Sequence, residues 1–341
     1  MTPQRNAAPR TRTTAKVGKG STFIDLFAGV GGFHQAFHNL GAECVFASEW
    51  NPAARETYRH NFRKISPHLF RDEDAFFNRD ITEVTQSQKR IPKADLLDQI
   101  RDRIPEFDVL CAGFPCQPFS QAGHKLGFED ERGNLFFDIE KIIYAREPEA
   151  IFLENVRHLQ SHDNLRTIKE IRKRLKKAGY GEVFEYVVKA SDHGLPQHRP
   201  RLFIIGFRDE TARTRFKKPE PRELTTTMSD IFDGAEVVNL DGTERRIGYT
   251  LRVGGKSSPI SDRRNWDGYI VNGEVRRLMP HHGIRMQGFN SGFSFPAEVS
   301  HSDRMKQLGN SVAVPAVEDY AREIFHALGV ADEHRQPRVG K

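Results

Sequence analysis

The chain has 341 residues, of which 37% are hydrophobic and 29% are charged, and its formal net charge is +6 at pH 7. These proportions are ordinary for a water-soluble globular protein, and no apolar run is long enough for a membrane span. The excess of Lys and Arg favours a polyanionic partner, because neutralised phosphates release counterions from nucleic acid. Part of that excess lies in a basic N-terminal segment and in a solvated helix near residues 172–177, so charge alone does not identify the partner.

The N-terminal segment and the cysteines bear on the compartment. Residues 1–20 carry five basic residues and no acid but lack the apolar stretch of a secretory signal, so they are predicted to form a disordered basic tail. Cys44, Cys111 and Cys116 form neither a paired disulfide framework nor a CxxC metal spacing. We therefore expect no metal and a reducing compartment, by default the cytoplasm.

From residue 22 to about 207, apolar runs suited to buried strands alternate with amphipathic helical stretches. This alternation predicts an α/β fold with a parallel sheet covered on both faces. Beyond residue 207, Pro, Gly and a run of Thr break the helical period and predict a small, loop-rich second domain. The predicted strands are residues 23–27, 44–48, 107–112, 150–153, 184–188 and 202–207. The predicted parts are the tail (1–20), a large domain (21–207), a small domain with a hinge (208–300), a return to the large domain (301–330) and a second tail (331–341).

The first predicted strand runs directly into a glycine-rich turn at residues 27–33, which a helix follows. Such a turn presents backbone amides at a helix N-terminus and suits a nucleoside cofactor, although similar turns also serve other nucleotide enzymes or are merely tight. Glu49 ends the second strand, where an acid commonly receives ribose hydroxyls, and Trp50 offers a flat face to adenine. Asp80, with Ile81, can end a third strand and face the adenine edge.

Cys116 follows the strand at residues 107–112, hence at the carboxyl edge of the sheet, where open α/β folds bind ligands. A thiolate is a strong nucleophile near neutral pH, and Pro115 stiffens the backbone before it. A lone cysteine is more often a small buried hydrophobe, which is the interpretation for Cys44 and Cys111. Cys116 is therefore a candidate nucleophile that needs support from its neighbours.

Residues 113–117, Gly-Phe-Pro-Cys-Gln, resemble the nucleophile motif of the DNA cytosine-5 methyltransferase family. Further matches follow in the family's order over nearly the whole chain after residue 22, namely Asp-Leu-Phe-Ala-Gly-Val-Gly-Gly at 25–32, Glu-Trp at 49–50, Glu-Asn-Val at 154–156, Gln-His-Arg-Pro-Arg at 197–201 and Gln-Leu-Gly-Asn-Ser-Val at 307–312. The resemblance implies a Rossmann-like sheet that binds S-adenosylmethionine, with a smaller target-recognition domain. It implies a DNA (cytosine-5-)-methyltransferase, the modification enzyme of a restriction-modification system.

The resemblance also implies a role for each matched catalytic residue. Carbon 5 of cytosine is a poor nucleophile, so the Cys116 thiolate is expected to add first to carbon 6 of a base flipped out of the duplex. Glu154, if protonated, can donate to ring nitrogen 3 as negative charge develops. Arg201 is expected to hold the cytosine carbonyl oxygen and the Glu154 carboxylate, and Arg199 to lie near a backbone phosphate and Cys116. A water chain is expected to remove the proton from carbon 5.

Two further sets of site residues follow from the matched motifs and from the predicted small domain. The expected cofactor contacts are Phe27, Gly29, Gly31, Gly32, Glu49, Trp50, Asp80, Ile81, Pro115, Leu135, Asn310 and Ser311. The expected DNA contacts are Gln117, Ser120, Thr250, Arg252, Lys256, Arg263 and Arg264. Residues 117–135 are expected to close over the flipped base. A plain solvated loop is the alternative for the pair 263–264, and a helix cap is compatible with the role of residues 309–311.

One residue departs from the family's pattern, because His282 stands where the family usually has glutamate. This puts local packing in doubt but not the catalytic motifs. Two alternatives remain, an RNA (tRNA) cytosine-5 methyltransferase on the same scaffold and a non-catalytic DNA-binding paralogue. The first typically carries a late Cys-Phe-Thr triplet that is absent here, and the second should have lost the nucleophile or the acid. The expected partner is duplex DNA, bound by a monomer in the bacterial nucleoid, with a restriction endonuclease sharing the recognition site without contact.

Overall fold

The computed structural model describes residues 17–72, 74–86, 92–115, 135–254 and 257–330. The strands in these residues are β1 (Thr22–Leu26), β2 (Glu43–Ser48), β3 (Phe77–Asn78), β4 (Val109–Gly113), β5 (Ala150–Val156), β6 (Phe184–Lys189), β7 (Pro200–Phe207), β8 (Val237–Val238), β9 (Gly268–Val271) and β10 (Glu274–Arg277). The α-helices are α1 (Gly32–Asn39), α2 (Pro52–Phe62), α3 (Ile81–Val84), α4 (Lys93–Arg103), α5 (Leu135–Arg146), α6 (Arg166–Leu175), α7 (Glu210–Arg215), α8 (Met228–Ile231), α9 (Pro280–Gln287), α10 (His301–Asn310) and α11 (Val314–Ala327).

The large sheet has seven strands in the order β3-β2-β1-β4-β5-β7-β6. Strands β1 to β5 pair in parallel, whereas β7 is antiparallel to both β5 and β6. The predicted parallel sheet is therefore confirmed for β1 to β5, and β7 is an antiparallel exception. The connection from β6 to β7 spans only residues 190–199, which is too short for a crossover helix, so the chain returns antiparallel.

Apolar layers cover both faces of the large sheet, because successive side chains of a buried strand point to opposite sides. Phe152 of β5 packs on one face, with the α1 and α11 side chains Phe37 and Phe325, whose ring centroids lie 5.4 Å apart. Its neighbours Ile151 and Leu153 belong to the other layer, together with the buried face of α6. In the described part of the chain, no helix has the length and apolar character to cross a bilayer.

The chain between β7 and α10 contains a second, three-stranded antiparallel sheet in the order β10-β9-β8. Trp266, which precedes β9, is buried in the same apolar cluster as one face of the large sheet, and its indole N–H donates to the carbonyl oxygen of Gly254 at 2.7 Å. After α9, the helices α10 and α11 return to the large sheet, where α11 packs against α1. Val253, on the chain between β8 and β9, and one face of α10 reach the edge of the large sheet at which β1, β4 and β5 end.

Candidate active site

A cavity of about 470 Å³ opens where the carboxyl ends of β1, β2, β4 and β5 meet. Clefts of roughly 300 to 1,000 Å³ commonly hold small ligands, and this edge is where open α/β sheets bind them. Residues from the turn after β1, from α10 and from the small domain also line it. The sequence-predicted residues along the wall are Phe27, Gly29, Glu49, Trp50, Pro115, Leu135, Glu154, Arg201 and Asn310.

The turn after β1 holds its backbone in the left-handed region at Phe27, Gly29 and Gly31. A Cβ on Gly31 would lie 2.2 Å from the ring of Phe62, and one on Gly32 would lie 2.5 Å from Val312. These two glycines therefore permit close packing behind the turn, and neither is among the described residues that line the cavity. Gly29 does line the cavity, and there a Cβ would meet no atom within 4 Å.

Glu49 and Trp50 present two different surfaces to the cavity. The buried Glu49 carboxylate accepts hydrogen bonds from the backbone N–H groups of Gly29 and Asn51, each at 2.8 Å. Burial raises the pKa of Glu49 although these donors favour the charged form. Trp50 is 75% exposed, so its indole face is open to a ligand. The pair offers a fixed carboxylate beside a flat aromatic surface.

Glu154 and Arg201 form an ion pair in the wall of the cavity. Arg201 Nε lies 3.0 Å from Glu154 Oε1, and both side chains are largely buried. Burial raises the pKa of Glu154, and the nearby Arg201 and Arg199 guanidinium groups oppose that shift. The neighbouring Asn155 donates from its side chain to the carbonyl oxygen of Phe114 at 2.8 Å, which ties the end of β5 to the chain after β4.

Arg199 is not where the sequence led us to expect it. It precedes β7, is 1% exposed, and its guanidinium donates to the carbonyl oxygens of Leu251, Gly309 and Ser311. A guanidinium held by these carbonyls is turned away from solvent and from any phosphate outside the fold. The expectation of a phosphate contact is corrected, because long-range packing between the small domain and the segment after α10 buries this side chain.

Besides Gly31 and Gly32, three further predicted cofactor residues lie outside the described cavity wall. Asp80 caps α3, its carboxylate accepting from the backbone N–H and the hydroxyl of Thr82 at 2.9 and 2.8 Å. Ile81 is packed in the core beneath the sheet. Ser311 is buried, and its carbonyl oxygen accepts from Arg199. The third strand suggested near Asp80 exists but ends at Asn78.

Some of the predicted DNA contacts have exposed side chains, and others are hydrogen-bonded to neighbouring groups of the protein. Arg252 and Arg263 are exposed, and the backbone of Arg252 passes so close to Gly309 that a Cβ there would lie 2.7 Å from it. The Arg264 guanidinium is held by Asp262 of its own loop, with Nη2 at 2.7 Å from Oδ2. The Thr250 hydroxyl donates to the carbonyl oxygen of His198. The predicted residues Cys116, Gln117, Ser120 and Lys256 lie outside the described residues.

His282, the departure from the expected pattern, has a structural explanation. Its Nδ1 accepts a hydrogen bond at 3.0 Å from the backbone N–H of Met279 at the start of α9. A glutamate at the third position of a helix makes this same bond in a capping box. Burial lowers the pKa of His282 to about 4, so the ring is neutral and keeps this lone pair near neutral pH.

Among the cavity-lining residues that the sequence analysis did not assign to a site are Asp303, Lys306 and Gln307 of α10 and Val253, which follows β8. Gln307 opens the matched run at 307–312, which was a usable signal. The other three carry no motif. The spacing of Asp303 and Lys306 along α10 gains meaning only once that helix is known to form a wall of the cavity.

Comparison with known proteins places this geometry in context. Residues 21–251 and 243–326 match the family described as C-5 cytosine-specific DNA methylase. The Type II methyltransferase M.HpaII of Haemophilus parainfluenzae is 36% identical over 354 residues, covering 90% of each protein. M.NlaX of Neisseria lactamica is 36% identical over 340 residues, covering 92% of this chain and 98% of that protein. The crystal structure of the S. pombe Dnmt2 methyltransferase covers 90% of this chain and 99% of its own with a TM-score of 0.61, and at 18% identity it shows the fold alone.

Proposed function

The chain belongs to the C-5 cytosine-specific DNA methylase family, and from this premise we propose how the residues of its cavity transfer a methyl group to cytosine. It is a DNA cytosine-5 methyltransferase. The observation that carries the residue assignments is the buried ion pair of Glu154 and Arg201, which lines the same cavity as Glu49 and Trp50. One cavity of small-molecule size is thus lined both by a pair of residues suited to a base and by a pair suited to a nucleoside.

S-adenosylmethionine fits the nucleoside side of this cavity. Trp50 offers the flat apolar face that adenine needs, and Glu49 offers an acceptor to ribose hydroxyls. The side-chain nitrogen of Gln307, in the cavity wall, is buried without a hydrogen-bond partner among the described residues, as expected of a site completed by a polar ligand. When bound, S-adenosylmethionine supplies an activated methyl group.

Glu154 and Arg201 hold the target cytosine. Because burial raises the pKa of Glu154, its carboxyl group is predisposed to carry a proton that it donates to ring nitrogen 3. Arg201 donates to the cytosine carbonyl oxygen while its Nε stays with Glu154. These groups stabilise negative charge that develops on the ring during attack at carbon 6. The base reaches them only when it is flipped out of the duplex.

Cys116 supplies the attacking thiolate. It follows Pro115, which lines the cavity at the end of the chain segment after β4. The thiolate would form a sulfur–carbon 6 bond and make the electron pair of the carbon 5–carbon 6 double bond available at carbon 5. With S-adenosylmethionine bound, carbon 5 would take the methyl group as the methyl–sulfonium bond breaks, and S-adenosylhomocysteine would leave with that bond's electron pair. A water chain then takes the proton from carbon 5, the sulfur–carbon bond breaks, and the thiolate leaves. Gln117, Ser120, Arg252 and Lys256 are proposed to contact the phosphates around this base.

The test is covalent trapping on duplex DNA that contains 5-fluorocytosine, whose carbon 5 cannot lose a proton. With S-adenosylmethionine present, the wild-type protein should form a complex that survives denaturation, and Cys116→Ala should form none. Cys111→Ala, which removes the buried thiol of β4, is the matched control and should still trap. A trapped complex with Cys116→Ala, or none with the wild type, would contradict the covalent mechanism. Trapping on an RNA substrate but not on the duplex would favour the RNA alternative.

The relatives named Type II methyltransferases favour a role as the modification enzyme of a restriction-modification system. The proposed partner is then an endonuclease that recognises the same sequence without contacting this chain, and the enzyme acts as a monomer. Bisulfite sequencing of DNA from cells that express the protein would give the methylated sequence. Resistance of that DNA to an endonuclease of the same specificity is the expected outcome, and unmethylated DNA would contradict the role.

A further inference from the structure

The outer side of α6 and of the turn that follows it carries a dense run of basic side chains, which the function proposed above does not use. Residues 166–177 contain seven Lys or Arg residues and one acid, Glu170, so this segment has a net charge of +6, equal to that of the whole chain. Ile168, Ile171 and Leu175 are buried, which turns the opposite side of the helix to solvent. Six cations are exposed and form what we call the basic face: Arg166, Lys169, Arg172, Lys173, Lys176 and Lys177.

Three lysines of the basic face follow the helical repeat and form a lysine row. Lys169, Lys173 and Lys176 are four and three residues apart, so their Cβ atoms are spaced by about 5 to 6 Å along one side. Lys169 and Lys176 form no ion pair among the described residues, and Lys173, 79% exposed, has its Nζ 3.9 Å from the nearest acid, Glu170. Like charges at this spacing repel one another, and a bound polyanion removes the repulsion.

Two acids near the lysine row are held by other cations. Arg172 donates to Glu185 of β6, with Nη2 at 2.7 Å from Oε2, and Glu170 pairs with Arg174 at 2.9 Å. Glu182 is exposed and lines a groove of about 710 Å³ beside the row, so it is the acid that an incoming anion would meet. The basic face keeps an excess of positive charge after these pairs are formed.

The course of α6 separates the basic face from the opening of the cavity. Strand β5 ends at the cavity, where Val156 lines the wall. After the turns at 157–165 the chain folds back along the sheet, and the Tyr180 hydroxyl beyond α6 donates at 2.6 Å to the carbonyl oxygen of Pro148, just before β5 begins. The basic face therefore runs for about 16 Å from the cavity side towards the opposite edge of the sheet.

Duplex DNA is the polyanion that this enzyme meets as its substrate, and it matches the basic face in charge density. A duplex carries one negative charge per 1.7 Å of its axis, so a length of about 16 Å presents about nine phosphates. A duplex whose base enters the cavity lies across the opening and would have to bend sharply to follow α6 as well. Sharp bending of DNA is energetically unfavourable, so a separate segment of DNA fits the basic face better.

We propose that the basic face of α6 is a second, sequence-independent binding surface for duplex DNA. The lysine row contacts the phosphates of one DNA segment while the cavity engages another. The protein can then pass from one segment to the other without leaving DNA, which shortens its search for the recognition sequence. The basic face takes no part in the methyl transfer itself.

The first measurement is the salt dependence of binding to a fluorescent duplex made only of A·T pairs, which contains no target cytosine. The triple variant Lys169→Gln, Lys173→Gln and Lys176→Gln of the full-length protein should lower the slope of log K against log salt concentration by about 2.7, from 0.9 for each lost phosphate contact. Its affinity at low salt should fall at least about tenfold. Replacing the same three lysines by Arg keeps the charges and should leave the affinity within about twofold of the wild type.

The second measurement occupies the cavity first. Protein trapped on an unlabelled 5-fluorocytosine duplex is titrated with the labelled A·T duplex, so only a surface outside the cavity can bind the label. The wild type should form a complex with both duplexes, and the triple Gln variant should bind the label at least about tenfold more weakly. Glu182→Gln should bind it about twofold more tightly, because a charge that repels phosphate is removed.

A second triple variant, Lys64→Gln, Lys217→Gln and Lys218→Gln, removes the same charge from exposed positions off the basic face and is the matched control. It should bind the A·T duplex in the trapped complex as the wild type does. Both triple variants should unfold at the wild-type temperature and methylate a short target duplex at the wild-type rate, because all six side chains are exposed and lie outside the cavity wall.

Equal losses in the two triple variants would mean that net charge, and not the basic face, attracts the second duplex, and would overturn the proposal. A trapped wild-type complex that binds no A·T duplex would also overturn it, while the proposed methyl transfer would stand. If the wild type cannot be trapped at all, the covalent mechanism fails instead, and the salt slopes of the two triple variants decide whether the basic face binds DNA.

Discussion

The guanidinium of Arg199 donates to the carbonyl oxygen of Gly309 at 2.9 Å and so holds the last turn of α10. The same group also donates to Leu251 in the small domain. One buried side chain therefore joins the small domain, the start of β7 and the cofactor side of the cavity. Burial lowers the pKa of Arg199, but the guanidinium still keeps its donors near neutral pH.

Substitution of Arg199 by Lys should destabilise the protein, because an ammonium cannot reproduce the planar fork that serves these carbonyls. We expect the free energy of unfolding to fall by about 2 to 4 kcal/mol, with weaker binding of S-adenosylmethionine. Urea denaturation and calorimetry measure the two effects. If stability is unchanged while DNA affinity and its salt dependence fall, Arg199 contacts a phosphate after all.

Glu154→Gln tests the proton donor. The amide can still hydrogen-bond the cytosine ring but cannot transfer a proton, so kcat should fall about 100-fold or more with a smaller change in KM for DNA. Burial raises the Glu154 pKa, and the active form is the protonated one, so the wild-type single-turnover rate should decline as pH rises through that pKa.

The pH profile supplies the control for this substitution. In Glu154→Gln the decline on the alkaline side should disappear, because the titrating group has been removed. A rate that keeps the wild-type pH dependence in Glu154→Gln would show that another group supplies the proton.

The turn after β1 offers a matched pair of glycines. Gly31→Ala should destabilise the protein by about 3 kcal/mol, because its backbone has φ +85° and the new Cβ would clash with Phe62. Gly29→Ala has a similar positive φ but open space, so it should cost only about 1 kcal/mol. Thermal unfolding of the two variants separates the destabilisation caused by the clash with Phe62 from that caused by a positive φ alone. Equal losses would mean that the contact with Phe62 is readily relieved.

His282→Glu should change the free energy of unfolding by no more than about 0.5 kcal/mol, since a carboxylate can accept a hydrogen bond from the Met279 N–H as the imidazole does. The methylation rate should stay at the wild-type level. His282→Ala removes the acceptor and should cost about 1 kcal/mol. Chemical denaturation near neutral pH measures both. A large loss in His282→Glu would indicate that the imidazole ring packing against Phe232 matters more than the cap.

Much of the fold could be predicted from the sequence, because buried strands and the spacing of Ile168, Ile171 and Leu175 depend on local patterns. Each of the six predicted strands overlaps an observed one. Strand β3 has only two residues, too few for an alternating pattern, and the direction of β7 leaves no trace in its composition. The fate of Arg199 was equally hidden, since its partners at 251, 309 and 311 are distant in sequence and backbone carbonyls have no signature.

The antiparallel direction of β7 decides at which edge of the large sheet the chain enters this strand and at which edge it leaves. In the antiparallel pairing with β5, Val156 lies opposite Arg201, so the beginning of one strand meets the end of the other beside the cavity. Had β7 run parallel, Arg201 would enter at the far edge, out of reach of Glu154. Because β7 starts at the cavity, it finishes at Phe207 beside Ala150, on the opposite edge. The chain thus leaves β7 on the side remote from Glu154 and Arg201, so segments of different length can follow Phe207 without moving these two side chains.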